Sequence, residues 1–372
     1  MRVYKFLEEI IPPFISRLYF KYRNRNANPP IDMASLNSLR EFLPTELFRQ
    51  VEAFLSSDDF LKTSKYWRHL ILRHLKSVSS QGIENWGTSV ALNYFTWTKL
   101  EDIKLEKLSS QNSEDLNYLK VHNGLTPAES YSHNVICNLL WVYLKSLPNF
   151  PLSLVASSSA GYEDGNSPKI EIDGVVVTQD LLNSAIEYES FRRVLRSDGA
   201  KILEIGAGSG RNADFMLSTG LVEKYVIVDI PPASFISQER ISRSHPNLRV
   251  ISCTDRNDLI ELLHSEDWDV LFILPSLARI LPDKFFDITL AIDCLHEMTK
   301  ETRFFYADLA AAKSKNFYVK IWKNAYIPVD KESLDAFRFD QYGFDEKWTV
   351  LESTQCVYPA DYHEYLFKIS NL

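Results

Sequence analysis

The segment Leu203-Glu204-Ile205-Gly206-Ala207-Gly208-Ser209-Gly210 carries the densest chemical signal in the chain. It follows an apolar run and precedes a helix-like run, and its glycines let the backbone turn tightly and approach a ligand closely. A dinucleotide fingerprint, G-x-G-x-x-G, fails here, because counting from Gly206 puts Arg211 at the sixth position. The alternation acidic-x-G-x-G-x-G is met in full by Glu204, Gly206, Gly208 and Gly210. A glycine loop preceded by a carboxylate suits S-adenosylmethionine, whose cationic methionine end needs no pyrophosphate cradle. Asp229 lies nineteen residues after Gly210, near the ~20 expected for a carboxylate on ribose hydroxyls. Arg211 and Ile230 flank these positions as further cofactor contacts.

A second group follows a later apolar run. Asp287–Asp293 leads into Cys294-Leu295-His296-Glu297-Met298. In open α/β sheets the carboxyl ends of the strands face the ligand crevice, so Asp293, His296 and Glu297 are expected there. Histidine titrates near neutrality and can accept a hydroxyl proton, which makes His296 the expected general base. Asp293 and Glu297 could orient it, or hold Mg²⁺ against vicinal hydroxyls. For the adenine wall two segments compete, Arg249–Cys253 with Thr254 and Asp255, and Val270–Pro275 with Ser276. Chain order favours the second, naming Leu274, Pro275 and Ser276. Trp322 and Tyr326 after one strand, and Tyr362 and His363 on the last, are candidate substrate contacts, although strand alternation sends only half of the last strand one way.

The elements that must position these residues can be read from periodicity. KILEIGAG, YVIVDIP, DVLFILP, DITLAID and NFYVKIW each read as a buried parallel strand, with helical segments between them. WTVLEST and DYHEYLFKI lack a helix between them and are expected to pair antiparallel. The fold class is therefore α/β, a Rossmann-like seven-stranded sheet with its last strand antiparallel, over residues 199–372. Residues 126–198 read as a connecting helix with Val135, Leu139, Leu140 and Tyr143 on one face, a polar loop, and a hairpin about Asp173-Gly174. A role as substrate lid is expected for them. Thr178 is placed as a helix N-cap. Residues 1–125 read as a helical domain, a lid or dimer module, with Leu47, Val51, Phe54 and Leu55, then Trp67, Leu70, Ile71 and Leu75, at helical spacing. His69 and His74 are five apart and do not share a face as a metal pair would.

Composition narrows the function classes. The chain has 372 residues, a formal charge of −8 and 45% hydrophobic residues, so a disordered chain is excluded. The acidic balance disfavours nucleic acid as the main partner. The four cysteines, Cys137, Cys253, Cys294 and Cys356, are dispersed and suit a reducing cytosol. No transmembrane run is present, although the N-terminal mix of apolar residues with Arg2, Lys5, Arg17 and Lys21 allows contact with a membrane surface.

The segments Glu163–Pro168, Asp180–Glu187, Glu204–Arg211, Asp229-Ile230-Pro231, Glu297-Met298 and Tyr362-His363-Glu364 resemble those of the sugar O-methyltransferases. The likeness runs over about residues 160–372. It implies a class I S-adenosylmethionine-dependent methyltransferase acting on the hydroxyl of a sugar or glycosylated acceptor, and it adds Glu187 to the substrate contacts. Members of that family usually carry Ser-Phe-Gln-Glu-Met after the fourth strand; this chain has His296 at the Gln position. Methylation of another small acceptor, or a non-enzymatic interaction protein on the same fold, are the alternatives.

Overall fold

The computed structural model describes residues 31–82, 122, 125, 127–159, 168–327 and 332–369. The N-terminal basic segment and the Glu163–Ser167 stretch lie outside the described residues. Four helices open the described chain: α1 (Met33–Asn37), α2 (Thr45–Leu55), α3 (Asp58–Lys62) and α4 (Lys65–Gln81). Ser57 and Ser64 start the last two, each side-chain oxygen accepting a backbone N–H of the first turn. The expected apolar stripe on α2 is buried at Leu47, Val51 and Phe54, and on α4 at Ile71 and Leu75. Both pack with Phe235, Ile236 and Leu274 of the sheet domain.

The connecting region holds α5 (Pro127–Ser146), α6 (Leu152–Ser159), the hairpin β1 (Ile170–Ile172) with β2 (Val175–Val177), and α7 (Gln179–Phe191). Asp173 and Gly174 both take positive φ, 52° and 76°, as a tight two-residue turn requires. Thr178 caps α7 by accepting from the Leu181 N–H at 3.1 Å. One expectation is corrected. On α5, Val135, Leu139 and Tyr143 are only half-buried, whereas Ile136, Cys137, Leu140 and Leu144 are fully so, together with Asn134 and Asn138. The helix is nearly enclosed, so a one-face reading shifts by a residue. The region also packs against the sheet, in one core with Ile202, Tyr225 and Ile288.

The sheet domain runs β3 (Ala200–Ile205), α8 (Arg211–Ser218), β4 (Val222–Val228), α9 (Ala233–Ser244), β5 (Val250–Cys253), α10 (Arg256–Ser265), β6 (Val270–Ile273), β7 (Phe286–Ile292), α11 (Lys300–Lys313), β8 (Ser314–Trp322), β9 (Asn324–Ile327), β10 (Glu332–Asp335), α12 (Phe339–Tyr342), β11 (Thr349–Gln355) and β12 (Tyr362–Lys368). Its main sheet has eight strands in the order β11-β12-β8-β7-β3-β4-β6-β5. β12 is antiparallel to both neighbours; the rest run parallel. The expected α/β architecture is present with one more strand than counted, because both segments that competed for the third position are strands. Val270–Ile273 pairs with β4 and Val250–Cys253 takes the edge. The β9–β10 hairpin had no period long enough to announce it. Strand order reverses beside β3, where the carboxyl ends of β3, β4 and β7 open a crevice.

Candidate active site

That crevice is a cavity of about 650 Å³. Its floor is the glycine loop. Gly206, Gly208 and Gly210 have φ of 66°, 60° and 75°, a region in which L side chains are strained. Space also demands glycine: a Cβ on Gly206 would meet Cys294 Cβ at 2.7 Å, and one on Gly210 would meet Ser237 Cβ at 2.7 Å. The loop thus lies tight between the β7 exit and α9, with its backbone toward the cavity.

Three carboxylates on the wall share an unusual state. Asp229 closes β4 onto the loop, accepting from Gly208 N–H at 2.9 Å and Ile230 N–H at 2.7 Å. Burial pushes it up to about 7 against those two donors. Glu204, also pushed up to about 7 by burial, accepts from the Tyr225 hydroxyl at 2.8 Å. Asp293 sits directly after β7 with φ of 59°, and burial raises it to about 6. Its Oδ1 is shielded from solvent and has no hydrogen-bond partner among the described residues. Ile230, Ser276, Arg211 and Glu297 line the same space.

The roof comes from the N-terminal helices. Asp59 of α3 accepts the Ser276 N–H at 2.9 Å, and Trp67 of α4 donates its indole N–H to Glu297 at 3.0 Å. Thr302 of α11 donates to the Lys62 carbonyl at 3.1 Å. Gln50 ties α2 to Gln238 and Ser252. Tyr306 and Phe305 complete the wall. Asp59, Trp67 and Tyr306 were not singled out for the site from sequence; Trp67 read only as part of an apolar stripe, and the serine caps that aim α3 and α4 were the available signal.

Several expected site residues lie elsewhere. His296 is buried in an aromatic stack, its ring 5.3 Å from Trp322 and nearly parallel, with Tyr362 edge-on at 5.8 Å. It does not line the cavity, and burial drives it down to about 3. A ring held neutral by burial and turned away from the cavity is poorly placed to take a substrate proton, so the geometry does not favour His296 as general base. Trp322 and Tyr362 belong to that stack, and Tyr326 is half exposed on β9; none of the three lines the cavity. His363 points to the other face of β12, beside Ser353 Oγ at 2.9 Å and Tyr365. Leu274 turns into the core under the N-terminal helices, while Ser276, two residues on, reaches the cavity. Glu187 is fully enclosed, its oxygens taken by Arg211 at 2.7 and 2.9 Å and by Lys320 at 2.8 Å. It holds protein groups, not a substrate. Among the described residues of 127–159 and 168–198, none lines the cavity. Asp293 and Glu297 are joined by no third ligating side chain among the described residues, so the Mg²⁺ expectation finds no ligand set.

No protein-family model matches the chain, and no curated protein matches it in sequence. Among solved structures it is similar to an S-adenosylmethionine-dependent methyltransferase from Aquifex aeolicus, with 14% identity over 50% of this chain and 89% of that one and a TM-score of 0.32. It is also similar to an S-adenosylmethionine-dependent methyltransferase from Mesorhizobium loti, with 9% identity over 50% of this chain and 99% of that one and a TM-score of 0.32. Likeness this loose decides neither cofactor nor acceptor. No described helix is long and apolar enough to cross a membrane.

Proposed function

We propose that the protein is an S-adenosylmethionine-dependent O-methyltransferase acting on the hydroxyl of a small polar acceptor of the sugar class. One observation carries the cofactor reading. The left-handed Gly206–Gly210 loop and the Asp229 carboxylate that ties it to β4 face a single cavity. The residues fit the cofactor on three counts. The glycine backbone can approach the amino-acid end, with Glu204 and Arg211 beside it. Asp229 stands where ribose hydroxyls need an acceptor. Ile230, Ser276 and Tyr306 supply walls for a flat base. When bound, the cofactor supplies an electrophilic methyl carbon.

The chain's own contribution is alignment and proton withdrawal. A hydroxyl oxygen is a weak nucleophile until its proton leaves, and positioned general bases contribute typically ~10²–10⁴-fold. Asp293 takes this role in place of His296: its side chain lines the cavity and titrates close enough to neutrality to accept a proton. The helices α3 and α4 form the roof, which favours lid over dimer module for residues 31–82. The sugar class rests on the family resemblance, supported by the hydrogen-bonding carboxylates of the wall.

A thermal-shift screen tests the cofactor half: S-adenosylhomocysteine is expected to raise Tm and NAD⁺ is not. The reverse pattern would overturn the reading. Transfer of labelled methyl from S-adenosylmethionine to a panel of free sugars and glycosides tests the acceptor half. Methylation of amines alone would replace it.

A further inference from the structure

Behind the cavity wall Arg211 joins a charged cluster whose Glu187 and Lys320 the proposed chemistry does not yet use. Glu187 of α7 is 1% exposed, Lys320 of β8 is 1% exposed, and the Arg211 side chain is 10% exposed. Glu187 accepts two guanidinium N–H groups and the Lys320 ammonium, while Ser184 takes a further N–H of Arg211 at 3.0 Å. Arg211 NH2 also stands 3.8 Å from Asp293 Oδ2. The Asp293 backbone N–H donates to the Lys320 carbonyl at 2.9 Å, so the strand ladder keeps Lys320 and Asp293 adjacent.

Two cations therefore face Asp293 with one carboxylate set between them. Burial opposes ionisation of Glu187, but Arg211 and Lys320 outweigh it and hold it down at about 2, so it is charged at every working pH. Two unopposed cations would lock Asp293 as the anion, and a locked anion is a weak base. No cation at all would leave it protonated in its buried setting.

We propose that Glu187 is a positioning residue for Asp293: it aims Arg211 and cancels one of the two buried cations, leaving Asp293 able to change protonation state during turnover. The role assigned to Asp293 rests on the methyltransferase reading; the charge balance itself does not. The groups facing Asp293 are Arg211 from α8, Glu187 from α7, Lys320 from β8, Glu364 and Tyr362 from β12, Cys294 next in the chain, and Cys356 before β12. Burial lifts Tyr362, Cys294 and Cys356 well above their ordinary values, so they stay neutral. Glu364 is common to all the variants below.

The test is a ¹³C-carboxyl NMR titration of Asp293 in ligand-free protein, with the signal assigned by its loss in Asp293→Asn. Glu187→Gln removes the cancelling charge and is expected to move the Asp293 midpoint down by about one pH unit or more. Lys320→Met removes a cation and is expected to move it up by a similar amount. A cluster that only packs, with no field at Asp293, would not shift the midpoint in opposite directions. Shifts of the same sign, or no shift in either variant, would overturn the proposal. If Glu187→Gln does not fold, the double variant Glu187→Gln/Lys320→Met, which keeps the net charge of the cluster, takes its place: a midpoint below that of Lys320→Met supports the proposal, and an equal or higher one overturns it. Calorimetry of S-adenosylhomocysteine on the wild type separates the two readings, since failure to bind sinks the cofactor assignment and leaves the titration result standing.

Discussion

Asp293 and His296 stand three residues apart at the exit of one strand, yet they end in opposite surroundings. Asp293, in the left-handed region at φ 59°, turns into the cavity among Arg211, Lys320 and Glu187. His296 turns away, between Trp322 and Tyr362. Both are shifted by burial, one up to about 6 and the other down to about 3. Loss of water disfavours the charged form of each, so an acid rises and a base falls. The difference shows that nearness to a strand's ligand-facing end does not make a residue part of the site. What counts is whether the side chain meets the cavity and a compensating charge, or the faces of aromatic rings.

The comparison can be broken most forcefully by exchanging the two side chains' chemistry. Asp293→Asn is expected to lower kcat by about 10²–10⁴-fold, with S-adenosylhomocysteine affinity changed much less. His296→Phe keeps an aromatic ring in the stack and is expected to leave kcat within about threefold, far short of the general-base range. A large kcat loss in His296→Phe with none in Asp293→Asn reverses the assignment.

Next in size is a change to the loop that both residues follow across the sheet. Gly206→Ala forces a Cβ against Cys294 at 2.7 Å with φ at 66°. Affinity for S-adenosylhomocysteine is expected to fall by about tenfold or more, about 1.4 kcal/mol. Unchanged affinity in calorimetry would mean the loop does not face the ligand.

Stability against pH sharpens the contrast with opposite signs. The folded protein binds fewer protons than the unfolded chain at His296 between pH ~3 and ~6.5, so this group adds stability as pH rises. It binds more at Asp293 between pH ~4 and ~6, so this group costs stability as pH rises. In urea unfolding, the stability of His296→Phe relative to wild type should fall with pH across its window, and that of Asp293→Asn should rise. Each slope is at most about 1.4 kcal/mol per pH unit. Slopes of the same sign would contradict the two environments.

The smallest effect belongs to the roof. Trp67→Phe removes the indole N–H that meets Glu297 at 3.0 Å. An approximately two- to tenfold rise in the KM for S-adenosylmethionine is expected, consistent with one hydrogen bond to a charged group in a partly open position. An unchanged KM would show the roof contact to be passive.

Legibility in the sequence follows the range of the interactions. The stretch from Lys201 to Asp229 announces itself because strand, glycines, helix start and acidic residue are local signals that agree. The spacing points Asp229 at ribose hydroxyls; the structure shows it at the end of β4, accepting from Gly208 N–H. His296 was misread because its direction is set by Trp322 and Tyr362, which arrive from β8 and β12. Leu274 and Ser276 were read together, but a 3₁₀ turn from Pro275 sends one inward and the other to the cavity. Glu187 entered through family resemblance, and only the folded sheet shows that it holds Arg211 and Lys320. The same holds for Asp59 and Trp67, which reach the cavity from another part of the chain.

Isothermal titration of S-adenosylhomocysteine into wild type and Asp229→Ala tests the central claim most directly. The account predicts saturable binding at one site in the wild type. It predicts binding at least about tenfold weaker in the variant, where the ribose acceptor and the tie to Gly208 N–H are both lost. No binding to the wild type, or equal affinity in both proteins, would contradict it.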